Sequence, residues 1–338
     1  MYKIVVAGCG NMSNRWLDYV AQREDAEIVG LVDIRQEAAE AMAERRGLQA
    51  KAYTDVREAI RGTEANLVFD VTIPESHATV VTTALREGCN VFGEKPLAAS
   101  LEEANRVLSV VQDTGLRYAV MQNRRYISQI RPFRSMVQSG AIGAVGTIYA
   151  DFFLGPHFGG FRDVMDSPLL LDMAIHTFDQ ARFIGGADPV SVYCHEYNPP
   201  GSWYKGNASA VCIFEMSDGS VFCYRGSWCA VGMATSWHAD WRVTGSRGTI
   251  RWDGADKLTG EAISEGAAEG ASASLQPLQP PPPWTGREGH FGCLDEMFLS
   301  LQEGRPAETD SADNFKSLAM VFGAIESART GCKVKIDG

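Results

Sequence analysis

No run in this chain of 338 residues approaches the ~18 consecutive apolar residues that a membrane-spanning helix needs. No C-x-x-C pair occurs among its eight cysteines, Cys9, Cys89, Cys194, Cys212, Cys223, Cys229, Cys293 and Cys332. Cys223 and Cys229 flank a strand-like run, but no histidine stands at metal spacing from them, so no metal site is expected. Scattered cysteines of this kind read as reduced, mostly buried thiols in a cytoplasmic protein. Positive charge is also short: lysine plus arginine is 31 against 42 aspartate plus glutamate, a net charge of −11. That argues against nucleic acid and against an anionic membrane surface as partners. The opening apolar run, Met1 to Gly8, is too short for a signal peptide, and Gly8-Cys9-Gly10 follows it directly. With 45% hydrophobic and 22% charged residues, the composition excludes disorder, collagen and coiled coil for most of the length.

At roughly 150 residues per domain the length predicts two domains. The first third alternates apolar runs with helical stretches. Strands are expected at 3–7, 27–33, 67–71, 90–93 and 118–121. Helices are expected at 13–23, 36–46, 75–87 and 100–114, with a capped start at residues 54–58. Gly47, Gly88 and Gly115 stop three of these helices. Strand–helix–strand repetition implies a parallel, doubly wound sheet with ligands at the carboxyl ends of its strands. After a helix at 129–139 the chain changes character. Strands dominate at 147–153, 190–196, 208–216, 220–228, 236–243 and 249–252, with a hairpin turn at Ser217-Asp218-Gly219. This is an α+β segment with a large, mostly antiparallel sheet. Residues 254–283, rich in Gly, Ala, Ser and Pro, read as a long loop with polyproline character. Helices at 291–302 and 312–330 and a strand at 333–336 close the chain. The expected division is 1–122 and 123–338.

Gly8-Cys9-Gly10 follows the first strand and opens the first helix, and Asp33 ends the next strand. In a dinucleotide fold such glycines let the backbone approach the pyrophosphate at a helix N-terminus, and the carboxylate takes the ribose hydroxyls. Asn11 and Met12, in the same turn, join the cofactor-binding candidates. A simple tight turn is the bland alternative, and strand context with Asp33 weighs against it. Arg35 is placed either to stack on adenine or to meet a 2′-phosphate. Asp33 repels that phosphate, so NAD is expected over NADP. Thr72-Ile73-Pro74 and His77 form a strand-to-helix turn at the same edge, where His77 is either a ligand residue or a helix-terminus residue without chemistry. Glu94-Lys95-Pro96 follows a further strand, and a lysine fixed there suits proton transfer to a ligand. Asp172 and His176 are four apart in a strongly apolar segment, on one face of a buried helix. They read either as a structural hydrogen bond or as a carboxylate and imidazole facing a hydroxylated substrate.

Together these pieces resemble the Gfo/Idh/MocA family of sugar and inositol oxidoreductases. The resemblance rests on Gly8-x-Gly10, Thr72-x-Pro74-x-x-His77, Glu94-Lys95-Pro96, Asn123-Arg124-Arg125-Tyr126 and Asp172-x-x-x-His176. It extends to the closing stretch Ala324 to Gly331 and so covers nearly the whole chain. It departs at Asp166-Ser167-Pro168, where members often carry a run of glycines, and in the lengthened proline-rich loop. The resemblance implies a Rossmann domain, a second domain whose open sheet makes subunit contacts in a homodimer or homotetramer, and hydride transfer between nicotinamide and a sugar carbon. It further implies that Lys95 and His176 handle the hydroxyl proton, either one being the base, while Asp172 orients the hydroxyl or His176. Asn123, Tyr126, His157 and Arg162 are the neighbouring candidates for binding sugar hydroxyls. Trp203, Trp237 and Trp241 offer either a stacking face or ordinary packing. Arg124, Arg125 and Arg162 keep a carboxylate substrate open. Two rival functions share the scaffold: glycoside cleavage by transient oxidation and elimination, and a non-catalytic NAD sensor. A mere sensor has no use for Lys95, Asp172 and His176.

Overall fold

The computed structural model describes residues 1–264 and 274–336. The chain forms two compact units, 1–123 with 287–315, and 124–286 with 316–338. The boundary after Asn123 falls one residue from the expected one. The chain then returns to the first unit for residues 287–315, which a contiguous division assigns to the second.

The first unit holds six strands, β1 (Tyr2–Ala7), β2 (Ala26–Val32), β3 (Lys51–Tyr53), β4 (Leu67–Asp70), β5 (Asn90–Gly93) and β6 (Tyr118–Val120). Between them run α1 (Ser13–Val20), α2 (Gln36–Arg46), α3 (Val56–Thr63), α4 (Pro74–Arg86) and α5 (Leu101–Thr114). All pairings are parallel, in the order β3-β2-β1-β4-β5-β6, the doubly wound dinucleotide-binding arrangement. Strand β4 is buried along its whole length, as a strand covered by helices on both faces must be. Local signals set the helix ends. Asp55 accepts the Glu58 N–H at 2.9 Å and Ser100 accepts the Glu103 N–H at 3.1 Å. Helix α1 stops at Val20, three residues short of the expected end.

In the second unit, β7 (Val145–Phe153), β8 (Pro189–Tyr197), β9 (Ser209–Met216), β10 (Val221–Ser227), β11 (Asp240–Gly245), β12 (Gly248–Trp252), β13 (Leu258–Ile263), β14 (Leu275–Leu278) and β15 (Val334–Lys335) form one sheet. The order is β14-β13-β12-β11-β7-β10-β9-β8-β15, antiparallel throughout except for β7 beside β10. The residue 254–283 segment is therefore not simply a loop, because β13 and β14 pair within it. Its residues 265–273 lie outside those described. The strand expected at 236–243 starts later, at Asp240. Helices α6 (Ile130–Gln138) and α7 (Ile175–Gly185) cover one face. There the Phe178 ring meets Phe214 and Tyr224 edge-on at 4.9 Å and 5.2 Å. On the other face Tyr149, Tyr193, Val211 and Ile213 are exposed.

Two further helices close the chain, α8 (Gly289–Glu303) and α9 (Ser311–Thr330). Helix α8 completes the first unit's core. Its Phe298 ring contacts Tyr2 at 5.0 Å and Phe92 at 5.2 Å, and Asp295 accepts the Tyr19 hydroxyl at 2.9 Å. No described helix is long and apolar enough to cross a membrane.

Candidate active site

The carboxyl ends of β1, β2, β4 and β5 lie along one edge of the parallel sheet, and the glycine turn opens there. Gly8 has φ +94°, and a Cβ on it would stand 2.6 Å from the Val71 carbonyl carbon. Only glycine allows the turn to pass so close to the end of β4. Gly10 differs: a Cβ there would meet nothing within 4 Å. Its bare backbone borders open space at the start of α1, whose N-cap residue Met12 supplies no side-chain cap. Two amides of its first turn bond back into the turn, Asn14 to the Asn11 carbonyl at 3.3 Å and Arg15 to the Met12 carbonyl at 3.0 Å, and the open glycine turn at the helix N-terminus fits a dinucleotide pyrophosphate. Asn11, in the same turn, is exposed and accepts the Asn14 amide at 3.0 Å. The Ser13 hydroxyl, at the third glycine position, donates to the Gly10 carbonyl at 2.6 Å.

Asp33 is held in place by backbone donors. The Cys9 N–H reaches one carboxylate oxygen and the Arg35 N–H the other, each at 3.0 Å. Arg35 extends into solvent, and its Nε stays 3.9 Å from Asp33. Beside them Cys9, Arg35, Ala38, Ala41 and Arg45 line a shallow hollow. Burial, with the Asp33 charge, pushes the Cys9 thiol up to about 11, so it is an unreactive neutral group.

The turns after β4 and β5 are tied to each other. Asp70 ends β4 fully buried and accepts the Thr72 hydroxyl at 2.5 Å and the Thr72 N–H at 3.1 Å. Burial holds its carboxyl above the usual range, opposed by His77 and by those donors. His77, also fully buried, spans the two turns. Its Nδ1 lies 2.7 Å from the Pro96 carbonyl and its Nε2 lies 3.1 Å from the Thr72 carbonyl. Carbonyls only accept, so both contacts are satisfied only when the ring carries both protons. With both nitrogens engaged, His77 fixes the ligand edge rather than offering a ring nitrogen to a ligand. Pro74 starts α4 at a position where a missing N–H costs nothing.

Glu94 is buried and accepts the Trp16 indole N–H at 2.9 Å. His290, from the first turn of α8, stands 3.6 Å from the same oxygen. The other nitrogen of His290 meets the Asn123 side-chain amide at 3.3 Å. Lys95 is half-buried between Glu94 and a cis Lys95–Pro96 bond.

In the second unit, Asp172 and His176 are both buried. The run that carries them starts as a π-helix, Leu169–Ala174, and continues as α7. It is not the uniform α-helix expected. Single π turns of this kind recur at functional sites because they re-aim side chains. Asp172 is ion-paired with Arg162, Nε to Oδ2 at 2.7 Å. Arg162 comes from a short 3₁₀ turn, Gly160–Val164, and covers the Phe161 ring at 4.6 Å. His157 donates from Nε2 to the Asp163 carboxylate at 3.0 Å and stacks on Trp203 at 5.0 Å. Tyr126 is buried, with Trp284 at 6.1 Å and the Arg131 guanidinium at 4.9 Å from its ring. Trp241 belongs to the core, whereas Trp237 is partly exposed and stacks on Phe158. The other two arginines are committed elsewhere. Arg125 holds Asp179 through two bonds, 2.6 Å and 2.7 Å, and Asp179 also accepts from Ser317. Arg124 is buried and donates to the Trp237 carbonyl, and burial pulls it down to about 10.

Sequence reasoning missed the Arg162–Asp172 pair and the whole of His290. The first joins residues ten apart through a turn with no regular pattern. His290 reaches Glu94 only because α8 returns to the first sheet.

Comparison with known proteins fits this arrangement. Residues 2–122 match the Gfo/Idh/MocA family profile described as an oxidoreductase family with an NAD-binding Rossmann fold. Residues 130–251 match the GFO/IDH/MocA C-terminal domain. An uncharacterised protein of Sinorhizobium fredii, y4oX, is 30% identical over 99% of this chain and 96% of its own. An inositol 2-dehydrogenase of Rhizobium meliloti is 31% identical over 55% of each chain. A crystal structure of an oxidoreductase from Agrobacterium radiobacter, in complex with NAD+, L-tartaric acid and magnesium, shares the fold with a TM-score of 0.84. It is 21% identical and covers 99% of this chain and 98% of its own. The chain belongs to the Gfo/Idh/MocA family of NAD-binding oxidoreductases.

Proposed function

We propose that this enzyme transfers a hydride between NAD and a hydroxyl-bearing ring carbon of a neutral cyclic polyol or sugar. The observation that carries the substrate class is the state of Arg124, Arg125 and Arg162, the three guanidiniums that a carboxylate substrate would call on. Arg125 is bound to Asp179, Arg124 is buried on a backbone carbonyl, and Arg162 is already neutralised by Asp172. A carboxylate substrate calls for an available guanidinium pair. A hydroxyl, which donates and accepts, matches the mixture of Asp172, His176 and His157 instead. The inositol dehydrogenase relative supports the same class.

When bound, NAD supplies the hydride acceptor, or NADH the donor. The glycine turn and the start of α1 hold the pyrophosphate, and Asp33 takes the adenosine ribose hydroxyls. Its carboxylate, fixed by two backbone amides, repels a 2′-phosphate, which favours NAD over NADP. Lys95 and His176 are the groups that take or return the hydroxyl proton, and Asp172 orients the hydroxyl. His77 serves this chemistry by tying Pro96 to Thr72. The exposed apolar residues on the sheet of the second unit, Tyr149, Tyr193, Val211 and Ile213, support a homodimer or homotetramer through that face. The eight cysteines, none in a disulfide, support a cytoplasmic location.

The test is a series of hydroxylated rings against plain secondary alcohols and 2-hydroxy acids, with NAD, read by reduced-cofactor absorbance. The ring series is expected to give the higher kcat/KM, with deoxy analogues next to the reacting carbon much poorer. Higher values for the plain alcohols or the acids would refute the reading.

A further inference from the structure

Glu94 immediately precedes Lys95, with a side chain 11% exposed. Burial favours its neutral form. His290, the Trp16 indole donor and the Lys95 charge act against burial and hold the carboxyl below its usual range. Two other ionisable groups face it. Asp70 and Tyr118 would each carry negative charge if ionised, so neither favours the carboxylate. Among these partners His290 is the largest influence that lowers it, through its Nε2–H and, when the ring is protonated, through its charge.

Proton positions along this line follow from donor chemistry. A carboxylate oxygen only accepts, so His290 carries its proton on Nε2, aimed at Glu94. The separation of 3.6 Å makes this an electrostatic contact rather than a short hydrogen bond. Nδ1 then accepts the Asn123 amide at 3.3 Å, which fixes the plane of the ring.

We infer that His290 is a positioning residue for the proposed reaction, keeping Glu94 a carboxylate beside Lys95 and holding the Asn123 amide in one orientation. An anion beside Lys95 stabilises the ammonium that forms when the lysine accepts a hydroxyl proton. The inference rests on the reading of Lys95 as a proton-transfer group. It assigns α8 a functional part: its first turn reaches the Glu94-Lys95-Pro96 turn.

The indole N–H of Trp16 reports the charge of Glu94 directly, because it donates to that carboxylate. Its resonance in the ¹H–¹⁵N spectrum of the full chain is identified by its loss in Trp16→Phe. Followed against pH, the inflection due to Glu94 is expected to rise by about one pH unit in His290→Ala. His290→Gln, which keeps an N–H donor, should shift it by less. His290→Phe fills the ring volume without a donor, so it shows the full shift if the alanine variant does not fold. An inflection at the wild-type pH in a folded His290→Ala or His290→Phe overturns the inference. In the shifted variants kcat on the best ring substrate should fall about tenfold with NAD affinity kept. An unchanged kcat in a shifted variant also overturns the positioning role. A panel without any active ring substrate removes the proposed substrate class and leaves the spectroscopic result standing.

Discussion

Arg162 and Asp172 form an ion pair, Nε to Oδ2 at 2.7 Å, with the arginine side chain 30% exposed and the aspartate 10%. The pair fastens the Gly160–Val164 turn to the π-wound start of the helix that carries His176. Asp172 is therefore a neutralised carboxylate. That fits its proposed role, to orient a substrate hydroxyl from a fixed position without presenting a bare charge.

Removing that guanidinium leaves a nearly buried carboxylate without its counter-charge. Arg162→Ala is expected to lower kcat/KM on a ring substrate about 10- to 100-fold, and Arg162→Lys to recover only part, since a point charge replaces the fork. Steady-state kinetics decide it, and an unchanged kcat/KM in Arg162→Ala would show that Asp172 does not depend on the pair.

His77 joins two turns that are far apart in sequence, through Pro96 and Thr72. His77→Ala strands both carbonyls and removes one of the groups that oppose the effect of burial on Asp70. A loss of about 1–3 kcal/mol in stability is expected. Denaturant unfolding measures it, and a wild-type midpoint would mean that the two turns hold without the ring.

Much of the first unit was legible because its signals are local. Asp55 and Ser100 cap helices that start where the sequence placed them, and Gly8, Gly10 and Asp33 occupy the strand ends they announce. The features that were not legible depend on distant partners. His290 sits in an ordinary helical stretch, and nothing near it reveals that α8 packs through Phe298 on the first sheet. The β13–β14 pairing was hidden because Gly260 and Pro277 interrupt the apolar alternation that marks a strand. The π turn around Asp172 escaped because i, i+4 spacing reads as α-helix whether or not the winding loosens.

Glu196 gives the second unit a dependence on pH. It lies on β8 and accepts the Ser167 hydroxyl at 2.9 Å, two residues before the Asp172 helix. Burial pushes its carboxyl up to about 7, against the lowering influence of Ser167 and Asn207. The unfolded chain releases this proton near pH ~4.5 and the folded chain only near 7, so between those values the folded state binds more protons. Stability therefore falls as pH rises through that window. Glu196→Gln removes the effect, and its advantage over wild type should grow from nothing near pH ~4.5 to about 1–2 kcal/mol above pH ~7, after discounting for partial exposure. Thermal unfolding at several pH values tests this, and a constant difference would rule out Glu196 as the cause.

The proposed preference for NAD over NADP rests on Asp33. Wild type is expected to bind NAD about tenfold or more tightly than NADP, and Asp33→Ala to narrow that gap. Titration of both cofactors gives the two dissociation constants. Equal affinities in wild type would transfer the decisive role to Arg35, the exposed guanidinium beside the same hollow.

In the proposed reaction Lys95 takes or returns the hydroxyl proton while the first unit holds NAD. The most direct measurement is turnover of Lys95→Ala on the best ring substrate, with NAD binding titrated on the same preparation. A fall of about a hundredfold or more in kcat with NAD affinity nearly kept is the predicted result. Turnover at the wild-type rate in folded Lys95→Ala would remove the proton-transfer role of Lys95.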